Sequence, residues 1–313
     1  MSLQVGIVGG GPWGLALARA AARTGSKVSM WTRRDTDGGR LIRVTTEYAE
    51  IAESRLLILA VPSLVARSVA RSLGDHLDGA HLVVHGIRGL GQTSDGPEST
   101  HEIETIGDIL REETPVRRIG ALGGPVQADE LHTGTASALV VGSHYPEVTA
   151  AVTKALSGPW LRVYSTHDLR GLEWASAMVG CMSIGVGFAK AAGAGPGLLA
   201  ALISRAVHDA GRIAVVAGAE EATMYGLGGY GDLLASIALD QRPEVVVGRA
   251  LAQGKTIDQA VDEAKLRVEA IDLIPRVCAF AKSHGVQAPA FEGLSRMLEG
   301  HRGEEILGKF FQG

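Results

Sequence analysis

Three glycines at the extreme N-terminus constrain this chain more than any other feature. Gln4-Val5-Gly6-Ile7-Val8-Gly9 reads as a short buried strand, Gly9, Gly11 and Gly14 follow at G-x-G-x-x-G spacing, and Leu15 to Ala22 is an alanine-rich helix former. The first glycine permits a tight turn, the second lets backbone approach a pyrophosphate, and the third allows close helix–strand packing. The helix that follows offers unpaired amides and the positive end of its dipole. Glycine triplets are common in turns, so the spacing alone is a weak signal. A strand directly before it and a helix directly after it turn it into a dinucleotide site, with Gly9, Gly11 and Gly14 as cofactor contacts. The prediction is an α/β chain that opens with a Rossmann-type doubly wound sheet.

A second strand, Lys27 to Thr32, ends in Arg33-Arg34-Asp35. An acidic residue at this place usually holds the ribose 2′-hydroxyl of NAD, whereas arginine favours a 2′-phosphate. Arg33 and Arg34 therefore predict NADP; NAD stays open through Asp35 if the arginines are solvated turn residues. Further strand patterns occupy Leu57 to Ser63, His81 to His85, 137–142 and 161–164. From Asp168 onward the periodicity is helical, with one long helix over 197–218. The reading is a cofactor domain over residues 1–165 and an all-α substrate and dimerisation domain over 166–313.

At 313 residues there is room for two domains, each with its own core. A net charge of −4 gives no electrostatic reason to expect nucleic acid or an anionic membrane as partner. Cys181 and Cys278 lie in apolar helical patterns, which reads as buried thiols in a reducing cytoplasm. No His/Cys cluster has metal-ligand spacing, so no metal is expected. Residues 174–189 carry no charge, but Gly180, Gly185, Gly187, Gly193, Gly195 and Pro196 interrupt the apolar run. It falls short of an unbroken ~20-residue span, and a buried helix explains it better than a membrane crossing. The N-terminus lacks the regions of a signal peptide.

Several segments, in order along the chain, resemble the NAD(P)-dependent glycerol-3-phosphate dehydrogenases. They are the N-terminal turn with Pro12-Trp13, Ala60-Val61-Pro62-Ser63, Gly86-Ile87-Arg88-Gly89-Leu90, Ile119 to Glu130, Tyr164 to Gly180, Tyr225 to Ser236, and Arg267-Val268-Glu269-Ala270. The likeness runs from Val5 to about Gly300, and the helical pattern continues to Phe311. It implies that Pro12, Trp13, Pro62, Ala128 and Glu269 lie along the cofactor. It also implies that Arg88, Asp232 and Ser236 are catalytic, the last two on one helix face at i,i+4 spacing. Asp232 could equally be a structural acid at a helix N-terminus. Gly124, in a loop where Gly123 replaces a serine, and Arg242 are the implied substrate contacts.

The departures from that family pattern are chemical. Arg88 stands where the family has a lysine; it keeps the charge but cannot transfer a proton near neutrality. Val179-Gly180 replace a Lys-Asn pair whose lysine moves the proton, leaving water or His85 for that task. Without a gap, Pro243 and Glu244 fall on the phosphate-holding Arg-Asn positions, and only a one-residue slip brings Arg242 there. The implied reaction is dihydroxyacetone phosphate plus NAD(P)H to sn-glycerol 3-phosphate, weakened by those losses. The alternatives are a dehydrogenase of the same fold acting on a carboxylate substrate, or a non-catalytic NADP-binding homologue. A small-molecule substrate and a homodimer are expected.

Overall fold

The computed structural model describes residues 3–91 and 103–301, so the expected helical continuation to Phe311 lies outside the described residues. Eight strands form one sheet: β1 Gln4–Val8, β2 Lys27–Trp31, β3 Ile42–Thr45, β4 Leu56–Leu59, β5 Leu82–His85, β6 Ile119–Gly123, β7 Ser137–Gly142 and β8 Leu161–Thr166. Their order is β3-β2-β1-β4-β5-β6-β7-β8. Neighbours run parallel except β6 and β7, which are antiparallel. Strands such as β4, buried at all four residues, are the apolar runs that a sheet covered on both faces requires. Chain order reverses between β1 and β4, and the crevice beyond the carboxyl ends of those strands is where such sheets hold ligands.

The helices of this part are α1 Pro12–Arg23, α2 Tyr48–Ile51, α3 Ser63–Gly74, α4 Ile106–Glu113, α5 Ala128–Thr133 and α6 Pro146–Leu156. Helix α1 packs with α5 and α6, while α3 packs with α4, giving the layers of a doubly wound fold. Ala16, Leu17 and Ala20 of α1 join Val5, Ile7, Met30 and Ile58 in the core. The expectation that Leu57 to Ser63 holds the third strand needs correction, because β3 precedes it and 56–59 is the fourth. Strand β3 escaped sequence reading because it is only four residues long, with Arg43 and Val44 exposed at the sheet edge.

The described residues divide into two compact units, 3–91 with 104–173, and 174–301 together with Ile103. The division falls later than residue 165 for a packing reason. Helix α7, Leu169–Ala191, opens in the first unit. There Leu172 fills the space beside Gly123 and Gly142, where an added Cβ would lie 2.8 and 3.0 Å from its side chain.

The second unit has no strand among its described residues. Beyond α7 it contains α8 Pro196–Val216, α9 Glu221–Tyr225, a π-turn Leu227–Gly231, α10 Asp232–Ala238, α11 Pro243–Ala252, α12 Ile257–Ala264, α13 Ala270–Ser283 and α14 Pro289–Leu298. Gly180, Gly185 and Gly187 lie inside α7, the buried helix expected here, and the helix runs through them. They are there for close approach. A Cβ on Gly187 would lie 2.2 Å from the Val245 carbonyl oxygen, and one on Gly248 would lie 1.9 Å from that of Ile184, so α7 and α11 cross backbone against backbone. Helix α7 is long and apolar enough to cross a membrane, yet 94% of its apolar window is buried, as in a core helix. Cys181 and Cys278 are free thiols; burial pushes Cys278 up to about 12 and Cys181 higher still.

Candidate active site

The first unit supplies a site made mostly of backbone. Gly9 follows β1 with φ +124°, and a Cβ there would lie 2.4 Å from the Ala60 carbonyl oxygen, at the head of the crevice between β1 and β4. A Cβ on Gly14 would lie 1.9 Å from the Gly9 carbonyl oxygen. Around Gly11 there is nothing within 4 Å of that position, so the turn is open where a ligand would approach. Gly11 caps α1 without a side-chain hydrogen bond and Pro12 takes its first position, which leaves first-turn amides facing outward. Trp13 reaches across the turn: its indole Nε1 lies 2.6 Å from where a Cβ on Gly86 would stand. Pro62 is exposed and caps α3, and Ala128 opens α5.

Arg33 and Arg34 are exposed beyond β2 and form no ion pair among the described residues. The loop that carries them is pinned, because the Arg34 amide donates to Thr32 Oγ1 at 3.1 Å. Behind it Trp31 stacks on Tyr48 with ring centroids 4.4 Å apart. Burial raises the Tyr48 hydroxyl, and the nearby Arg33 charge opposes that rise.

Arg88 follows β5 and is half-buried, with Nη2 donating to the Gly124 carbonyl at 3.4 Å. Gly124 itself holds φ +97° after β6. His85, at the end of β5, is 1% exposed. Its Nδ1 accepts from the Ile87 amide at 3.4 Å, so Nε2 carries the hydrogen and donates to Glu173 Oε1 at 2.9 Å. The same oxygen accepts from the Gly107 amide in the first turn of α4 at 2.6 Å. His85 is therefore a buried brace for the Gly86–Arg88 loop, with both ring nitrogens engaged. Sequence reasoning missed Glu173; the signal was an acid at the head of an otherwise apolar helix.

The second unit supplies a site made of side chains. Asp232 opens α10 after the π-turn, and Ser236 lies one turn on; both are 0% exposed. The Ser236 hydroxyl donates to the Asp232 main-chain carbonyl at 2.8 Å, and Arg242 reaches both side chains, so the two share a face. Arg242, 6% exposed, caps α11 and binds the cluster together. Its Nη1 donates to Asp232 Oδ1 at 3.2 Å and to Ser236 Oγ, and its Nε donates to Glu244 Oε2 at 3.0 Å. Arg242 Nη2 is buried and has no protein partner among the described residues. Val179 is fully buried, and Ser183 donates to its carbonyl at 2.7 Å. A Cβ on Gly180 would stand 3.8 Å from Glu244 Oε1. Glu269 is half-buried at the head of α13, in this same second unit. No group of three or more potential metal ligands occurs among the described residues.

Comparison with known proteins gives the same answer for both halves. The model of the NAD-dependent glycerol-3-phosphate dehydrogenase N-terminus matches residues 4–47 and 39–149, and that of the C-terminus matches residues 168–307. The chain belongs to the NAD-dependent glycerol-3-phosphate dehydrogenase family. A glycerol-3-phosphate dehydrogenase [NAD(P)+] of Fusobacterium nucleatum is 29% identical over 95% of this chain and 92% of its own length. The corresponding protein of Pseudomonas fluorescens is 31% identical over 97% and 89%. Among solved structures, glycerol-3-phosphate dehydrogenase from Coxiella burnetii shares the fold with a TM-score of 0.89 at 22% identity, covering 100% of this chain and 99% of that one.

Proposed function

We propose that this chain interconverts dihydroxyacetone phosphate and sn-glycerol 3-phosphate with NADPH as its preferred cofactor and NADH as a weaker one. The observation that carries the reading is that one chain, matched by both family models, has an open glycine turn at the sheet's reversal and a buried Asp232–Ser236–Arg242 cluster. The glycine turn of the first unit is assigned to the cofactor and the Arg242 cluster of the second to the substrate's anionic group.

Gly9, Gly11, Pro12, Trp13 and Gly14 would hold the pyrophosphate, whose charge the first-turn amides of α1 favour. Pro62 and Ala128 line its course, and Glu269 is a further cofactor contact. Arg33 and Arg34, unpaired and adjacent, suit a ribose 2′-phosphate. When bound, the nicotinamide supplies the hydride. The fixed charge of Arg88, steadied by Gly124 and the His85 brace, polarises a carbonyl. Arg242 offers its unpartnered Nη2 to the substrate's anionic group, while Asp232 and Ser236 hold that guanidinium in place. The cluster sets one guanidinium against two carboxylates, so phosphate binding is expected to be weak.

Purified protein should oxidise NADPH only when dihydroxyacetone phosphate is added. NADPH binding without turnover on that ketone would defeat the reading. The homodimer and the cytoplasm are also proposals. The first is supported by Tyr225, Tyr230 and Leu234, which are exposed together beside Leu199 and Ile203 along α8, and light scattering would test it. The second is supported by two free thiols.

A further inference from the structure

Helix α8 carries two stripes side by side. Leu199, Leu202, Ile203 and Ala206 recur at i, i+3, i+4 and i+7, and Arg205, His208, Asp209 and Arg212 repeat that spacing beside them. The first stripe lines an apolar cavity of about 320 Å³ inside the second unit. Val186 and Ala189 of α7 and Gly293 and Leu294 of α14 face it, and Ala189, Ala206 and Gly293 are too small to fill the space. Its volume falls within the ~300–1,000 Å³ of small-molecule sites. Left empty, such a space costs its lining the contacts that a packed interior would make. The second stripe lines an adjoining polar space with Ser204, Tyr225 and Gln287. Arg205 and Pro289 line both, so the two meet there.

The charges at the polar end do not balance. Two guanidiniums and an imidazole stand there against one carboxylate. That carboxylate, Asp209, is 4% exposed, and its Oδ2 accepts from the Ala290 amide in the first turn of α14 at 2.9 Å. Burial pushes the Asp209 carboxyl up, opposed by that amide and by the charges of Arg212, His208 and Arg205. Glu292 and Arg296, which also line the cavity, approach each other to 3.8 Å and offset each other's charge. The excess is positive and lies at one end of an apolar space. We propose that the second unit holds a site for a single-chain alkyl carboxylate, its chain in the cavity between α7, α8 and α14 and its head against Arg212 and His208. Apolar space by itself takes any alkyl chain; the basic end selects an anionic head. The site is separate from the Asp232–Ser236–Arg242 cluster, since none of those three lines either space, and it does not depend on the reaction assigned above.

The test is isothermal titration of the full chain with sodium decanoate, kept below the concentration at which it forms micelles. Binding should saturate at one decanoate per chain. 1-Decanol, with the same chain and no charge, should bind about tenfold more weakly, and decyltrimethylammonium more weakly still. Replacing both basic groups, Arg212→Gln with His208→Gln, should weaken decanoate by about tenfold and leave decanol within about twofold. Ala206→Phe fills the cavity and should weaken decanoate and decanol alike. If that variant does not fold, the Arg212 and His208 substitutions, which lie at the polar end, still decide the matter. Decanoate that does not saturate, or that binds no better than decanol, overturns the proposal. So does binding that survives Ala206→Phe, or that ignores the loss of both basic groups. Leu199 and Ile203 also border the surface assigned above to self-association. Decanoate that binds only by splitting a dimer, seen by light scattering, gives this face of α8 to a second copy of the chain and overturns the proposal as well.

Discussion

The turn after β1 and the cluster at the heads of α10 and α11 solve opposite problems with opposite means. The first has no side-chain chemistry to lose: its shape comes from a positive φ at Gly9, a carbonyl lodged against Gly14, and an amide row opened by Pro12. The second is almost entirely side chain, with one guanidinium spanning Asp232, Ser236 and Glu244. A backbone site tolerates few changes, and each is visible as a missing glycine. A side-chain site can be rewired, because charge can come from a different position provided it reaches the same place. Here Arg242 at the head of α11 pairs with both Asp232 and Glu244, and Glu244 Oε1 lies 3.8 Å from where a Cβ on Gly180 would stand.

The comparison breaks first at Gly14. Replacing it with valine forces a Cβ to within 1.9 Å of the Gly9 carbonyl, backbone against side chain with nothing flexible to yield. The cost should exceed the ~1–3 kcal/mol of ordinary overpacking, and NADPH binding should be lost with it. Urea unfolding and a fluorescence titration would read both. Arg242→Leu comes next. It leaves Asp232, fully buried, without its guanidinium, and removing one partner of a buried pair costs about 3–5 kcal/mol. Turnover should vanish while NADPH still binds. A stability loss under about 1 kcal/mol would mean the cluster is hydrated in solution and not held by that pair.

A smaller effect sharpens the role of the brace behind the Gly86–Arg88 loop. Glu173→Ala strands the Gly107 amide and the His85 Nε2 hydrogen in a buried place, which should cost about 1–3 kcal/mol. Glu173→Gln keeps an acceptor oxygen for both and should cost far less. If the two variants melt alike, the convergence of both donors on one oxygen does not stabilise the fold.

The same contrast explains what was legible beforehand. Gly9, Gly11 and Gly14 announce their conformations because few other residues could adopt them, and β1, β4 and β5 are apolar runs that only a covered parallel sheet can use. Asp232 and Ser236 were legible as a pair because helical spacing fixes their common face. Strand β3 was not, since four half-exposed edge residues carry too little pattern. The glycines of α7 were read only as breaks in an apolar run, not as points of close approach. From sequence alone, a glycine that breaks a helix looks the same as one that admits a neighbouring backbone, here that of α11. Glu244 was read only as a charge in the wrong place. Its contact with Arg242 is not encoded in local spacing.

The mildest prediction concerns the one part of the backbone site that does use side chains. Arg33 and Arg34 are exposed, pair with nothing among the described residues, and bury no surface that the fold needs. Replacing both with serine should leave the melting temperature unchanged. NADPH should bind about tenfold more weakly, equivalent to ~1.4 kcal/mol, a modest figure because exposed charges are screened. NADH, which lacks the 2′-phosphate, should be bound within about threefold of its wild-type affinity, and the difference for NADPH should shrink as salt is added. Equal weakening of both cofactors would place the arginines on the shared pyrophosphate. No weakening of either would return them to solvent and pass the ribose to Asp35, making NAD the natural cofactor.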